Sequence, residues 1–206
     1  VFCDVDLETF NTTADLIEPH INNKTKVIVP VHLYGQSCDM EPIIKLAEKY
    51  NLKIIEDNAQ AIGCKYTFPN GHNKFTGTLG NIGTTSFYPS KNLGCYGDGG
   101  AIFTNDDSLA EKLRMIVNHG EKIKYHHEIV GCNSRLDSIQ AEILNIKLKY
   151  LDTYNLNRKI MAKNYNLAFE EIDKVKVPKV NLNSDHVYHQ YTLRILNGKR
   201  DELKSY

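Results

Sequence analysis

Short apolar runs alternate with amphipathic segments along the first half of the chain, a pattern typical of an α/β protein with a parallel sheet. Apolar runs rich in β-branched residues predict strands, and apolar positions at helical spacing predict helices. The predicted strands are residues 2–6, 26–32, 53–57, 84–88 and 101–104. The predicted helices are residues 14–21, 41–50 and 108–118. Residues 64–81 are polar and contain glycine, which indicates a loop or a short hairpin.

Helix-end signals are clearest around the third predicted helix. Ser108 and Glu111 have the spacing of a capping box, in which the serine begins the helix. Gly120 is placed to end it. We therefore expect Ser108 to be the N-cap of this helix.

The pattern in the second half of the chain predicts a long helical stretch, followed by short strands and a final helix. The helical stretch covers residues 136–172, with a predicted break within 151–156. Strands are predicted at residues 175–177 and 187–195, and a helix at residues 200–206. We therefore predict a large domain over residues 1–150 and the start of a smaller α/β domain over residues 151–206.

Charge, hydropathy and cysteine spacing narrow the function classes. The 25 basic and 25 acidic residues balance, which argues against a nucleic-acid partner. No apolar run approaches the ~20 residues that cross a bilayer, so no membrane association is expected. The five cysteines are widely spaced and lack a Cys-x-x-Cys pair, which favours a reducing cytoplasm over a disulfide framework. The chain starts at Val1 without an initiator Met or a signal sequence, so we expect a fragment of a cytoplasmic protein.

Lys91 is the first candidate for chemistry, because it lies between a predicted strand and a glycine-rich segment. The glycines of that segment are Gly94, Gly97, Gly99 and Gly100. Four glycines so close together indicate positive φ angles or a close approach of the backbone to another group. A lysine held in such a rigid setting can form a Schiff base with an aldehyde cofactor, of which pyridoxal 5′-phosphate (PLP) is the common one.

Two further residues fit a PLP site. Asp57 ends a buried strand, and ligands of open α/β sheets bind at the carboxyl ends of strands. Its carboxylate is a candidate partner for the pyridine nitrogen, and Ser86, five residues before Lys91, is a candidate phosphate ligand. Each residue alone is more often a cap, a turn residue or a solvated side chain. The combination of the three favours the PLP site.

Five segments extend this pattern across the chain. They are residues 29–36 (VPVHLYGQ), 55–61 (IEDNAQA), 86–94 (SFYPSKNLG), 97–101 (GDGGA) and 133–137 (NSRLD). In order and spacing they resemble the DegT-type (DegT/DnrJ/StrS) PLP-dependent nucleotide-sugar aminotransferases. The resemblance implies the fold type I, aspartate aminotransferase-like architecture and a homodimer with shared active sites. It also implies that the family's N-terminal segment and the end of its C-terminal domain lie outside this chain.

The resemblance implies a role for each matching residue. Lys91 would bind the PLP aldehyde and later move protons, and Asp57 would pair with the pyridinium nitrogen. Gln60 would contact the ring or its 3′-oxygen, Ser86 would bind the phosphate, and Asn133 would reach the phosphate of the neighbouring subunit. Because the family's dehydratase relatives carry histidine at the position of Lys91, the resemblance favours a transaminase.

The implied reaction transfers an amino group from L-glutamate to a 3-keto or 4-keto 6-deoxyhexose on a nucleoside diphosphate, for cell-surface polysaccharide or antibiotic sugars. Residues expected to contact the substrate are His119, Tyr125, His126 and His189. The alternative for these residues is an ordinary surface or packing role.

The sequence also allows three other interpretations. A zinc site built from His119, His126, His127 and Cys132 is disfavoured because the spacing fits no common site, so no metal is predicted. A dinucleotide site is disfavoured because the glycine run lacks G-x-G-x-x-G. A non-catalytic PLP-binding regulator remains the alternative function, because folds are reused without their chemistry.

Overall fold

The computed structural model describes residues 1–206 and contains one four-stranded sheet with three small two-stranded sheets. The strands are β1 (Val27–Ile28), β2 (Lys53–Asp57), β3 (Lys65–Thr67), β4 (Asn73–Phe75), β5 (Ile82–Ser86), β6 (Gly100–Phe103), β7 (Glu121–Ile123), β8 (His126–His127), β9 (Val175–Lys176) and β10 (Arg194–Ile195). The α-helices are α1 (Ala14–Ile17), α2 (Met40–Lys49), α3 (Asp107–Val117), α4 (Ser138–Leu148), α5 (Leu151–Phe169) and α6 (Arg200–Ser205). The main sheet has the order β1-β2-β5-β6, in which only β6 is antiparallel. This confirms the predicted α/β fold with a mostly parallel sheet.

The main core lies between α2 and one face of the sheet. Ile43, Leu46 and Ala47 of α2 are buried in one cluster with Ile54 of β2 and Tyr66 of β3. Apolar residues three and four apart form one face of a helix, which is why the pattern predicted this element well. No helix of the chain is long and apolar enough to span a bilayer.

Glu56 anchors this covered face. Its side chain is fully buried, and its Oε1 accepts hydrogen bonds from the backbone N–H groups of Leu79 and Gly80, both at 2.6 Å. Its Oε2 accepts from the Gly77 N–H and from His32 Nε2, both at 2.8 Å. One carboxylate thereby ties β2 to the segment that precedes β5 and to the segment that follows β1.

The His32 ring is neutral and donates a hydrogen bond to this carboxylate. Its Nδ1 accepts the Cys38 N–H at 3.1 Å, so the ring proton is on Nε2. Burial raises the pKa of Glu56, but the hydrogen bonds from His32 and from the N–H groups of Gly80 and Gly77 outweigh it and lower the pKa below its usual value. Glu56 is therefore ionised in the folded protein at neutral pH.

A glycine lets the anchored segment lie directly on the sheet. Gly83 pairs with Glu56 in the register of β2 and β5, and a Cβ atom at Gly83 would overlap the Gly77 carbonyl. Because side chains alternate along a strand, fixing Glu56 on this face directs Asp57 to the opposite face. The anchored face and the candidate functional face are thus two sides of one strand.

The N-terminal strand predictions are partly wrong. Residues 2–6 form no strand; instead, the Asp6 carboxylate accepts from the N–H groups of Glu8 and Thr9 and turns the chain. The strand predicted at 26–32 is regular only over Val27–Ile28, because Pro30 has no N–H to donate to the ladder. Pairing resumes as a single bridge between Val31 and Asp57.

Three helix and strand ends also differ from the expectations. The N-cap of α3 is Asp106 rather than Ser108, since the Asp106 carboxylate accepts the N–H groups of Ser108 and Leu109. The helix predicted at 14–21 changes to a 3₁₀ turn over Glu18–His20, which contains Pro19. The strand predicted at 84–88 is shifted to Ile82–Ser86, because the Tyr88 N–H donates to the Ser86 hydroxyl. The predictions for α2, β2, β6 and the 64–81 hairpin are confirmed.

In the second half, the helical stretch is broken as predicted, but the position predicted within 151–156 is wrong: the break lies at residues 149–150, between α4 and α5. The strand predicted at 187–195 is wrong over most of its length, since only Arg194–Ile195 pairs, with β9. Residues 183–187 instead return to the first half, where Asp185 N–H donates to the Lys65 carbonyl and Val187 N–H to the Gly35 carbonyl. The domain boundary at residue 150 stays a prediction.

We predict that the Glu56→Gln variant is less stable than the wild type by about 3 kcal/mol at pH 7, because an amide cannot accept all four hydrogen bonds of this buried anion. The pKa of Glu56 is lower in the folded protein than in the unfolded chain. The ionised carboxylate therefore stabilises the fold fully above the ordinary glutamate pKa, and this stabilisation is lost as the pH falls through the pKa of the folded state. The difference between wild type and variant should therefore shrink on acidification. Urea unfolding at pH 7 and at pH 4 measures both effects.

The matched control is Glu41→Gln, which removes the exposed ion pair with Lys45 on α2. It should change the free energy of unfolding by no more than about 0.5 kcal/mol. Equal losses in the two variants would contradict the anchoring role of Glu56.

Candidate functional site

The candidate site lies at the carboxyl ends of β2 and β5. Asp57 ends β2 and is paired with Thr84 of β5, and Ser86 ends β5 two residues later. Because side chains alternate along strands, Asp57, Thr84 and Ser86 lie on the same face of the sheet. Two of the predicted site residues are therefore brought together by strand register alone.

The main chain of Asp57 is held by the segment that follows β1. Its N–H donates to the Pro30 carbonyl at 2.9 Å, and its carbonyl accepts the His32 N–H at 3.0 Å. Its Oδ1 accepts the Ala59 N–H at 3.0 Å, while Oδ2 has no hydrogen-bond partner within the chain. The half-buried carboxylate thus keeps one oxygen for a ligand.

Lys91 lies in a loop that is closed at its base. The Phe87 N–H donates to the Gly99 carbonyl, and the Cys95 N–H donates to the Phe87 carbonyl, both at 2.8 Å. The Lys91 N–H forms a turn with the Tyr88 carbonyl at 2.9 Å. The Lys91 ammonium takes part in none of the nine ion pairs of the structure. A rigid loop therefore carries an amine with no internal counter-ion.

The glycines of the glycine-rich segment are needed because the backbone passes close to other groups, and not because their φ angles are positive. A Cβ on Gly94 would stand 2.5 Å from the Pro89 carbonyl oxygen, and one on Gly100 would stand 2.7 Å from the Thr85 oxygen. None of Gly94, Gly97, Gly99 and Gly100 has a positive φ. One of the two expectations for these glycines is therefore confirmed, and the other does not apply.

Gln60 is oriented by a strained residue. Its Oε1 accepts the Tyr34 N–H at 2.6 Å, and Tyr34 has a φ of 59°, a left-handed conformation that is rare for residues other than glycine. Because Oε1 is engaged, Nε2 is the group left to interact with a ligand, and it can only donate. Neither Tyr34 nor Glu56 was singled out from the sequence.

His189 is the one predicted substrate contact that lies near Lys91. Burial, with the charges of Lys91 and Arg158 acting in the same direction, lowers the pKa of His189 to about 4. A cavity of about 490 Å³ adjoins it. Aromatic and cationic side chains line this cavity, among them Tyr154, Arg158, Tyr165, Tyr188 and Tyr191.

The other predicted residues lie apart from this edge. Tyr125 and His126 belong to the exposed β7–β8 hairpin, and His119 precedes it. Asn133 is exposed, bridges to Asn118 after α3 and accepts a hydrogen bond from Arg135 Nε at 2.8 Å. Within one chain the structure does not bring these four residues into contact with Lys91 or Asp57.

Two features of the structure bear on the zinc alternative and on the expectation that the cysteines form no disulfide framework. No group of three or more His, Cys, Asp and Glu side chains is arranged to hold a metal ion. All five cysteines are free thiols, and burial raises the pKa of Cys38 to about 12 and that of Cys64 to about 11. These two buried thiols are therefore unsuited to nucleophilic chemistry.

The residues at the strand ends fit PLP. Asp57 Oδ2 offers an unpaired acceptor for a protonated ring nitrogen, and Gln60 Nε2 offers a donor for the phenolic oxygen. Ser86 offers a hydroxyl proton for a phosphate oxygen, and Lys91 offers an amine for the aldehyde. A carboxylate and a hydroxyl thus lie at the carboxyl ends of β2 and β5, and an amide and an amine lie in the segments that follow these strands.

Comparison with curated proteins gives relatives that match almost the whole chain. The chain is 50% identical to a pleiotropic regulatory protein of Geobacillus stearothermophilus, over 100% of this chain and 54% of the relative. It is 44% identical to the UDP-2-acetamido-2-deoxy-3-oxo-D-glucuronate aminotransferase of Pseudomonas aeruginosa, over 96% of this chain and 53% of the relative. The chain thus spans about half the length of the curated relatives it matches.

Solved structures match at the level of the fold. DesV of S. venezuelae, in complex with a ketimine intermediate, has a TM-score of 0.89 and 41% identity, over 96% of this chain and 52% of that one. NtdA of Bacillus subtilis, with the bound cofactor PMP, has a TM-score of 0.86 and 33% identity, over 100% of this chain and 46% of that one. These likenesses confirm the predicted fold type I architecture.

The family comparison agrees with the geometry. The model of the DegT/DnrJ/EryC1/StrS aminotransferase family matches residues 1–206, so it includes both strand ends, the glycine-rich loop and α5. From this match, together with the relatives and the fold, we conclude that the chain belongs to the DegT/DnrJ/EryC1/StrS aminotransferase family.

Proposed function

We propose that this chain provides the cofactor-binding centre of a PLP-dependent aminotransferase that transfers an amino group from L-glutamate to a nucleoside-diphosphate-linked keto sugar. The observation that carries the proposal is that Asp57 and Ser86 share one face at the carboxyl ends of β2 and β5, with Gln60 and Lys91 in the segments that follow, in a chain from an aminotransferase family. The P. aeruginosa relative, named for a UDP-linked 3-oxo sugar acid, supports the substrate class. PMP in NtdA supports the cofactor.

PLP supplies, when bound, a protonated pyridine ring that withdraws electrons from the carbon next to the amine. Lys91 Nζ binds the aldehyde and moves the proton at that carbon. The Asp57 carboxylate keeps the ring nitrogen protonated by its negative charge. Gln60 Nε2 donates to the phenolic oxygen, because Tyr34 already occupies Oε1. The Ser86 hydroxyl donates to the phosphate.

Substrate recognition in this proposal comes from two places. His189 faces an aromatic cavity within the chain, where Tyr and Arg side chains suit a sugar or a nucleobase. His119, Tyr125 and His126 are exposed near the β7–β8 hairpin, and Asn133 is exposed after it. Their exposure supports a homodimer in which they reach the neighbouring subunit's site. The substrate is a 3-keto or a 4-keto hexose, and we place the reaction in the cytoplasm.

A second candidate function is that of a non-catalytic PLP-binding regulator. It is favoured by the name of the G. stearothermophilus relative, a pleiotropic regulatory protein that is 50% identical. The amine, carboxylate, amide and hydroxyl of the site favour the enzyme, because a regulator needs to bind PLP but does not need to move protons. Formation of 2-oxoglutarate from L-glutamate by the PLP-loaded, full-length protein distinguishes the two functions.

We predict that borohydride reduction of the full-length protein with PLP attaches one phosphopyridoxyl group to the peptide that contains Lys91. The Lys91→Ala variant should lose the label and all turnover of glutamate, since it lacks the amine proposed to bond to the aldehyde. Peptide mapping by mass spectrometry makes the measurement. Lys112→Ala, on the exposed surface of α3, is the control and should be labelled like the wild type. Label on another lysine would overturn the assignment.

We also predict that Asp57→Asn still binds PLP but forms 2-oxoglutarate at least about 100-fold more slowly. An amide cannot hold the ring proton by charge, and fixed charges of this kind contribute about 100-fold to 1000-fold in rate. Single-turnover kinetics with glutamate measure the effect, with Asp152→Asn on the exposed surface of α5 as the control. An unchanged rate in Asp57→Asn would show that another group protonates the ring.

A further inference from the structure

A buried polar network begins at Asn92, the residue that follows Lys91. Asn92 Nδ2 donates to Asn155 Oδ1 at 2.7 Å and to the Val187 carbonyl at 3.1 Å. Asn155 Nδ2 donates to the Ile62 carbonyl at 3.2 Å. Asn92 and Asn155 are only 6% and 5% exposed, so these bonds replace the water that the amides lose on folding. The network ties the Lys91 loop to α5.

The two backbone carbonyls fix the orientation of both amides. A carbonyl only accepts, so the atoms facing Val187 and Ile62 must be the NH₂ groups. Asn92 Oδ1 is therefore the atom that lies 3.3 Å from His189 Nδ1. An amide oxygen also only accepts, so the proton of the neutral imidazole is on Nδ1 and its Nε2 carries a lone pair.

Burial and two nearby cations keep this imidazole neutral. Burial lowers the pKa of His189 to about 4, and the charges of Lys91 and Arg158 act in the same direction. Arg158 Nη1 donates to the carbonyls of Tyr188 at 3.1 Å and His189 at 3.2 Å, which holds a fixed positive charge next to the segment. His189 is therefore uncharged at neutral pH.

The backbone that carries His189 is tightly held. Tyr188 has a φ of 46°, in the left-handed region. The Val187 N–H donates to the Gly35 carbonyl at 2.8 Å, and a Cβ on Gly35 would stand 2.8 Å from the backbone nitrogen of His189. Close packing and the strained Tyr188 hold residues 187–189 in one conformation. Functional groups that are preorganised are held in this way.

Two other histidines have the opposite tautomer. His186 Nδ1 accepts the Tyr188 N–H at 3.0 Å, and His32 Nδ1 accepts the Cys38 N–H at 3.1 Å. Both therefore carry their proton on Nε2. Of the three, His189 alone presents an Nε2 lone pair, and its ring contacts Asn92, the residue next to Lys91 in the loop.

We propose that His189 is a positioning residue for Lys91: Asn92 locks it as the Nδ1–H tautomer, and its Nε2 accepts a hydrogen bond from Lys91 Nζ. This proposal rests on the proposed function and deepens it, because it gives His189 a role toward the amine as well as toward the substrate. An amine held by one acceptor samples fewer orientations before it meets an aldehyde, and small misplacements of a reacting group cost large factors in rate. Asn92 and Asn155 act through His189 and the loop.

The first test is the tautomer of each histidine in the full-length protein without PLP. Nitrogen-15 NMR of histidine-labelled protein identifies which ring nitrogen carries the proton. We expect Nδ1–H for His189 and Nε2–H for His186 and His32 at pH 7, with His189 uncharged down to pH 5. His189 with its proton on Nε2, or as an imidazolium at pH 7, would overturn the proposal. This readout does not depend on PLP or on activity.

The second test separates the two nitrogens by substitution. In His189→Asn the amide keeps a donor for Asn92 Oδ1 and has no group at the position of Nε2, whereas in His189→Gln an amide oxygen takes that position. We expect the rate of borohydride-trapped PLP attachment to Lys91 to fall about tenfold in His189→Asn and to be restored to within about threefold in His189→Gln. His186→Asn, whose side chain still accepts the Tyr188 N–H, is the matched control and should keep the wild-type rate.

The outcomes distinguish the two proposals. Wild-type rates in both His189 variants would overturn the positioning role and leave the proposed function standing. Equal losses in His189→Asn and His189→Gln would also overturn it, because the acceptor at Nε2 would then be irrelevant. Absence of PLP on Lys91 in the wild type would overturn both proposals, and the NMR result would still report the tautomer.

Discussion

The buried carboxylate of Glu56 is the interaction on which the candidate site depends. An ionised side chain with no exposure to water is stable only if its oxygens are fully hydrogen-bonded, and here three backbone N–H groups and His32 Nε2 supply the donors. The bonds hold segment 77–80 against β2 and β5. Because side chains alternate along a strand, the same bonds set which way Asp57 faces. The anion that stabilises the covered face therefore fixes the carboxylate of the functional face.

The rest of the site follows the same principle of a rigid main chain behind functional side chains. Main-chain hydrogen bonds of Phe87 close the Lys91 loop, and the glycines let the backbone of the loop pass close to neighbouring carbonyl groups. The second half of the chain contributes through α5, whose Asn155 and Arg158 hold the Lys91 loop and the His189 segment. The residues proposed to react and the residues that hold them thus come from distant parts of the sequence. This explains why a buried helix residue such as Asn155 is polar.

Elements with a strong local signal could be predicted from the sequence. The helix at α2 and the strand at β2 have regular apolar patterns, and the glycine run indicated close approach. Failures occurred where tertiary contacts outweigh the pattern. Residues 187–191 have the composition of a strand, but Gly35, His186 and Arg158 hold Tyr188 in a left-handed conformation. Asp57 and Lys91 could be proposed from the sequence because their positions at a strand end and beside the glycines are local features. Glu56, Tyr34 and Asn92 were missed because their partners lie 20 or more residues away.

In the proposed site, β2 separates the anchoring carboxylate of Glu56 from the cofactor-binding carboxylate of Asp57. A crystal structure of the full-length protein grown with PLP tests it most directly. The account predicts continuous density from Lys91 Nζ to the cofactor, the ring nitrogen at hydrogen-bond distance from the Asp57 carboxylate, and Glu56 still bound to the N–H groups of 77–80. A cofactor held elsewhere, or a ring nitrogen turned away from Asp57 while Glu56 keeps its bonds, would contradict it.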